Sequence, residues 1–318
     1  MKNLLFPILL VFCASGSLLS QMYVTDASIH ISAGIVLFSD GSITNTDNSS
    51  ITNEGSLHTL GGIINSGTAT LQGDGQYTLE GDWTNSATFD AGTSTVTFEG
   101  ATNSTVTSGG DAFYTVELSK TTADLLLADD MVITNDLNFV SDDNKVSLAG
   151  NDLTFGASAT VTNYDDNKYI ITGGAGAVKK TDLGTTEFVF PVGFDSSTYN
   201  PLTLVQSGSG TVDEFGVRVL ENVLADGGTG LALTEGVVDA SWEVTEAVDG
   251  GSDLTLTAQW VETPDELTGF DRDDSGISRY DGDGWDMTNA NSGAADGTDP
   301  YTHTRSGVVD VGFFAVGS

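Results

Sequence analysis

From Ile8 to Phe190 the chain contains no proline, and within that stretch it repeats one short phrase, an apolar residue followed by Thr or Ile and then Asn. Clear copies are Ile43-Thr44-Asn45, Ile51-Thr52-Asn53, Ile63-Ile64-Asn65 and Trp83-Thr84-Asn85, with weaker ones at Ile133-Thr134-Asn135 and Val161-Thr162-Asn163. Proline has no backbone N–H, so it is excluded wherever a strand is hydrogen-bonded on both edges. A long proline-free stretch of repeated short units is what a chain needs in order to stack coil on coil. Each phrase reads as a short strand followed by a turn in which Asn tolerates left-handed backbone.

Period-2 patterns run between the phrases. Val96 and Phe98 alternate with Thr95, Thr97 and Glu99, and Tyr114, Val116 and Leu118 alternate with Thr115 and Glu117. Each such strand has one buried and one solvated face. Repeated strand-turn units predict a parallel β-solenoid over residues 21–172, with inward Val, Leu, Ile and Phe. Because the Asn phrases are unevenly spaced, the coils should differ in length, and stacking of Asn side chains between coils is expected. About seven coils at roughly 4.8 Å would give a rod on the order of 35 Å.

Composition changes at Gly173-Gly174-Ala175-Gly176-Ala177, which reads as a junction over 173–177. After it the remaining prolines appear and the Asn phrase stops. Strand patterns such as Leu202–Val205, Phe215–Val219, Ala240–Val244, Leu254–Trp260 and Val308–Val316, separated by Gly and Asp turns, predict an antiparallel β-sandwich over 178–318. Trp242 and Trp260 sit within alternating strands and are expected in its core. The whole chain is thus expected to be all-β.

At the start, Lys2 precedes the apolar run Leu4–Phe12 and then small residues to Ser20. That run is too short for a permanent span, so residues 1–20 read as a cleaved signal peptide, with no membrane insertion afterwards. The only cysteine, Cys13, lies within it, which leaves the exported part without disulfides or thiolate metal sites. The formal charge is −35, from 45 acidic and 10 basic residues. Such a surface repels phosphate backbones and anionic lipid, so nucleic acid is not an expected partner. It favours solubility and loose association with Ca²⁺.

The segments Phe188-Val189-Phe190-Pro191-Val192-Gly193, Tyr199-Asn200-Pro201-Leu202-Thr203-Leu204, Ser241-Trp242-Glu243-Val244-Thr245, Arg279-Tyr280-Asp281-Gly282 with Trp285, and Gly312-Phe313-Phe314-Ala315-Val316-Gly317 resemble the domain near the C-terminus of large surface proteins of Bacteroidota. Gly81–Gly92 followed by Val96-Thr97-Phe98-Glu99-Gly100 is similar to the repetitive segments that precede that domain. The resemblance implies a secreted or cell-surface location on the outer-membrane exterior and no catalytic residues. Such proteins continue into a sorting domain for type IX secretion, which would begin where this sequence reaches Gly317-Ser318.

Solenoids also house polysaccharide enzymes, which need a base beside a bound uronate or paired carboxylates in one cleft. The bases on offer are Lys120, Lys145, Lys168, His30 and His58, and acids such as Asp82, Asp90, Asp129 and Asp130 fall at turns. The three histidines are far apart in sequence, and no Gly-rich phosphate loop follows a strand. Catalysis is therefore not expected. Trp83, Trp285 and Tyr301 are candidates for stacking on sugar.

The most specific constellation is Asp271-Arg272-Asp273-Asp274-Ser275-Gly276, followed by Asp281-Gly282-Asp283-Gly284-Trp285-Asp286. Oxygens at Asp271, Asp273 and Ser275 with Gly276 next match the opening of a calcium loop. The position where a bidentate acid should close the shell is Gly282, so Asp281 or Asp283 would have to complete it; an Asp/Gly hairpin turn is the competing and favoured reading. Calcium is the one cofactor the sequence suggests. Function is then expected to be an extracellular structural or adhesive module, the solenoid a stiff spacer and the sandwich a cap or contact domain for a surface protein or glycan. A carbohydrate-binding or carbohydrate-active β-helix is the alternative.

Overall fold

The computed structural model describes residues 21–286 and 292–318. The expected export segment 1–20 lies outside the described residues. The described chain is all-β apart from one 3₁₀ turn at Arg272–Asp274, a parallel solenoid that passes into antiparallel sheets.

The first four coils each contain three short strands, starting with Met22–Thr25, Ser28–Ile31 and Val36–Ser39. Each strand of the first three coils pairs in parallel with its counterpart in the next coil, as in the ladder Ile43, Ile63, Trp83 on the first face, and the second-face sheet ends at Thr88–Asp90 of the fourth coil. Alternate residues point inward, so Ile43, Ile51, Leu57, Ile63, Leu71 and Tyr77 are buried while the intervening Thr, Ser and Gln are wet. In the fifth and sixth coils the corner between the second and third faces is absorbed into the long strands Phe113–Lys120 and Met131–Phe139, with a register irregularity between Phe113 and Thr115. The latter strand pairs Leu153–Phe155 through its first half and Thr160–Thr162 through its second. The later coils are therefore unequal, although the uneven Asn spacing is not the cause.

The Asn side chains do stack between coils as expected, but most copies of the phrase are not the left-handed turns the sequence suggested. Asn45, Asn65 and Asn85 lie in strands of the first face and point into the core, with at most 1% exposure. Asn45 Nδ2 donates to Asn65 Oδ1 at 2.8 Å and to Thr70 O at 3.0 Å, so each amide ties its coil to the next and closes a corner. These residues are twenty apart. Asn53, which made the spacing look uneven, belongs to the second face, where its Nδ2 donates to Gln76 O at 2.8 Å. Of the six copies only Asn163 adopts the left-handed backbone, at φ 58°.

Parallel stacking also continues beyond residue 172. The first face holds nine strands and ends at Val192–Gly193, a length on the order of 40 Å at about 4.8 Å per strand. Pro191 is tolerated there because only its carbonyl is used, accepting from Ile170 N at 2.8 Å. Val178–Leu183 pairs in parallel with Leu153–Phe155 on one edge and antiparallel with Asp213–Glu221 on the other. The third face thereby runs on, without a break, into Val237–Glu246, Gly312–Gly317 and Gly276–Arg279. A five-stranded antiparallel sheet built on Leu202–Gln206, Leu254–Trp260 and Tyr301–Val308 closes over it. Trp242 and Trp260 are both fully buried between these layers, as expected.

One apolar cluster extends from Val24 to Val316 across the 173–177 stretch. The glycines there do not act as a flexible linker. A Cβ on Gly174 would stand 1.7 Å from Ala149 O, and one on Gly176 1.8 Å from Asn151 O, so they are small because adjacent coils touch.

Candidate functional site

The acids of the solenoid act as staples between coils. Asp82 Oδ1 accepts from Thr105 N at 2.7 Å, Asp129 from Ser108 N at 2.7 Å and Gly109 N at 2.8 Å, and Asp130 from Asp152 N at 2.8 Å. Asp90 closes its own turn by accepting from Gly92 N. A carboxylate held by backbone N–H groups in this way satisfies donors that a corner would otherwise leave unpaired.

The expected bases are dispersed. Lys120 is fully buried, with Nζ donating to Glu99 O at 2.7 Å and Ser104 Oγ at 2.9 Å. Its burial lowers the ammonium pKa against the opposing pull of Glu80, Asp82 and Glu99. Lys145 donates to Asn167 O and lies over the Tyr169 ring, while Lys168 pairs with Asp165 at 2.9 Å. His58 Nε2 meets Glu99 Oε1 at 2.8 Å, and His30 is exposed on the second face. A further buried cation, Lys180, carries no signal in the sequence; its Nζ donates to Ala157 O at 2.8 Å and Ala159 O at 3.0 Å. Lysine in a strand pattern ordinarily points to solvent, so only the stacked geometry reveals these interior plugs.

Trp83 is not a sugar platform. It is 1% exposed and packs edge-on against Tyr77, Phe89 and Phe113, with ring centroids 4.8 to 6.1 Å away. The period-2 position of Trp83, in register with Ile63, puts it inside the solenoid. Tyr301 is half-buried beneath the Arg272 guanidinium at 4.6 Å.

The loop read as calcium-like forms two separate turns. Asp271 caps the 3₁₀ turn, its Oδ1 accepting from Asp273 N at 3.0 Å, and the Asp273 side chain is exposed. Ser275 is buried, its Oγ 2.7 Å from Nε2 of His303, which stacks on Trp260. Burial lowers the His303 pKa, against Asp296. Asp281 Oδ1 accepts from Asp283 N and Gly284 N, both at 2.9 Å, while Asp283 is exposed. Among the described residues no three Asp, Glu, His or Cys side chains converge to hold a metal ion.

The second turn carries the most site-like feature. It delivers Trp285, whose Nε1 donates to Leu224 O at 2.9 Å and whose ring meets Tyr280 edge-on at 5.8 Å. Next to it Asp286 binds Arg305 through both oxygens, at 2.8 and 2.6 Å. The pinned indole borders a cavity of about 260 Å³ shared with Val223, Leu233, Glu235, Ala315 and Ser318. Apolar walls, one aromatic ring and one carboxylate suit contact with a small amphipathic group. Trp285 was legible in the sequence as a candidate; the cavity was not, because its walls come from strands far apart in the chain.

No helix among the described residues is long and apolar enough to cross a membrane. No protein-family profile, curated protein or solved structure matches the chain.

Proposed function

We propose that this chain is an extracellular structural or adhesive module without catalytic activity, in which the solenoid is a stiff spacer and the antiparallel end is the cap or contact domain. Continuity carries this reading. One sheet and one apolar core pass from the first coils into the antiparallel end, so a load applied at either end is shared by backbone ladders throughout. The solenoid acids and buried lysines supply coil-to-coil hydrogen bonds, which is work suited to a scaffold. Export by the segment 1–20, surface display of the type IX kind in a Bacteroidota-like host, and a surface protein or glycan as partner complete the proposal. Antibody labelling of intact cells that express the chain tests it, combined with single-molecule pulling. Surface labelling and high-force unfolding in coil-sized steps are expected; cytoplasmic retention or low-force unfolding in one step would overturn it.

A glycan-contact role is the second reading, favoured by the pinned Trp285 beside Glu235. Its test is a glycan array probed with the parent and with Trp285→Ala, where binding lost in the variant supports it.

A further inference from the structure

The first coil is exposed along one edge. Met22–Thr25, Ser28–Ile31 and Val36–Ser39 each end their sheets, so among the described residues nothing pairs with their outer backbone groups. Edge strands are normally protected by charge, proline, bulges or a covering segment. None of these three strands carries an Asp, Glu, Lys, Arg or Pro. Instead the coil exposes Tyr23 (65%), Ile35 (56%), Val36 (65%) and Phe38 (54%). Although the chain has a formal charge of −35, residues 21–39 contain Asp26 as their only acid.

We infer that this edge is the interface of a head-to-head homodimer. Three strand edges arranged as one rung call for a cover of the same outline, and the chain itself provides one: the same end of a second copy. The opposite end does not match, because there the sheets have become antiparallel and the described residues present no three-stranded coil. A two-fold axis makes the contact isologous and closes it at two chains. The low charge of the coil lets two acidic chains approach, since their carboxylates lie mostly elsewhere.

The burial pattern specifies the register. An axis through the third face pairs the Val36–Ser39 strand antiparallel with its own copy about Leu37, so Val36 faces Phe38 of the partner subunit. The inward Leu37 then meets Leu37 of the partner subunit. The other two faces exchange, so that inward Met22 and Val24 lie opposite Ile31 of the partner subunit and Ile29 of the partner subunit. Outward residues meet outward residues throughout, as the pleat demands. The two cores become one, and the apolar patch at Val36 and Phe38 is doubled and covered.

The test uses the chain starting at Gln21, which contains every described strand. Sedimentation at micromolar concentration is expected to give twice the chain mass. Val36→Lys/Phe38→Lys, at exposed positions, is expected to halve the mass with the circular dichroism unchanged, while Leu231→Lys at the antiparallel end leaves the dimer intact. Since this chain has no cysteine after Cys13, disulfide trapping reads the register directly. Val36→Cys mixed with Phe38→Cys should yield a covalent dimer, and each variant alone should not. A monomeric parent, an open series of larger species, a dimer that survives the lysine pair, or equal trapping in the unmixed samples would each overturn the proposal. Should the lysine variant fail to fold, the trapping experiment decides alone.

Discussion

The side-chain amide of Asn65 donates to Oδ1 of Asn85 at 2.8 Å, and to Thr88 O at the same distance, inside the solenoid where neither Asn meets solvent. Asn65→Ala removes three hydrogen bonds, the two its amide donates and the one its Oδ1 accepts from Asn45, which should cost about 3–5 kcal/mol at roughly 1 kcal/mol per bond plus the polar groups left unpaired. Asn48→Ala, whose side chain is exposed and bonds Asp26, should change stability by less than about 0.5 kcal/mol. Urea titration of the pair checks both values.

Two buried tryptophans should respond differently to loss of the indole N–H. Trp242 Nε1 donates to Asn200 O at 2.8 Å, whereas Trp83 Nε1 has no hydrogen-bond partner among the described residues. Trp242→Phe is therefore expected to cost about 1 kcal/mol more than Trp83→Phe. Trp83→Ala, which empties the centre of an aromatic cluster, should cost about 3–5 kcal/mol. Denaturant midpoints of the three variants test this, and comparable losses for the two Phe variants would contradict it.

The glycines at 173–177 are close-contact residues, so Gly176→Ala should destabilise by about 2 kcal/mol or more, in line with other changes that force backbone apart. A protease cut in the exposed stretch Gly173–Ala175 should leave two fragments that co-elute, because strands on both sides share one core. Separation of the fragments under native conditions would show that the core divides there after all.

Burial raises the Asp265 pKa, with Asp239 and Asp299 adding to it against hydrogen bonds from Val261 N and the Asn200 amide. A carboxyl whose folded pKa exceeds its unfolded value of 3.8 makes the native state bind the proton more tightly. Its contribution to stability therefore falls as pH rises from that value through the folded pKa. Both hydrogen bonds are accepted by Oδ2, so an amide oxygen can replace it. Asp265→Asn is expected to raise the melting temperature by a few degrees at pH 7 and to lose that advantage near pH 3.5. A difference that does not vary with pH would contradict this.

Asp271 and Asp281 accept backbone N–H groups of their own turns, and the expected response to calcium is therefore general screening. Ca²⁺ and Mg²⁺ at equal ionic strength should raise the melting temperature equally, in the parent and in Asp271→Asn/Asp273→Asn. A calcium-selective shift abolished by the double substitution would instead establish Asp271, Asp273 and Ser275 as ligands, with Asp281 or Asp283 closing the shell.

Sequence alone determined the fold class, because strand periodicity and the exclusion of proline are local consequences of backbone pairing and survive in any arrangement of the coils. It also marked Trp242 and Trp260 as core, since alternation places them on a buried face. What tertiary structure decided is which repeats share a face. The Asn phrase looks the same at Asn53 as at Asn45 and Asn65, yet only stacking assigns the first to a different ladder. The same holds for Trp83, Lys120 and Lys180, which are buried because coils above and below enclose them. The glycine-rich junction became a tight corner for a similar reason: its constraint comes from the carbonyls of Ala149 and Asn151, one coil away, and distance along the chain does not encode that contact.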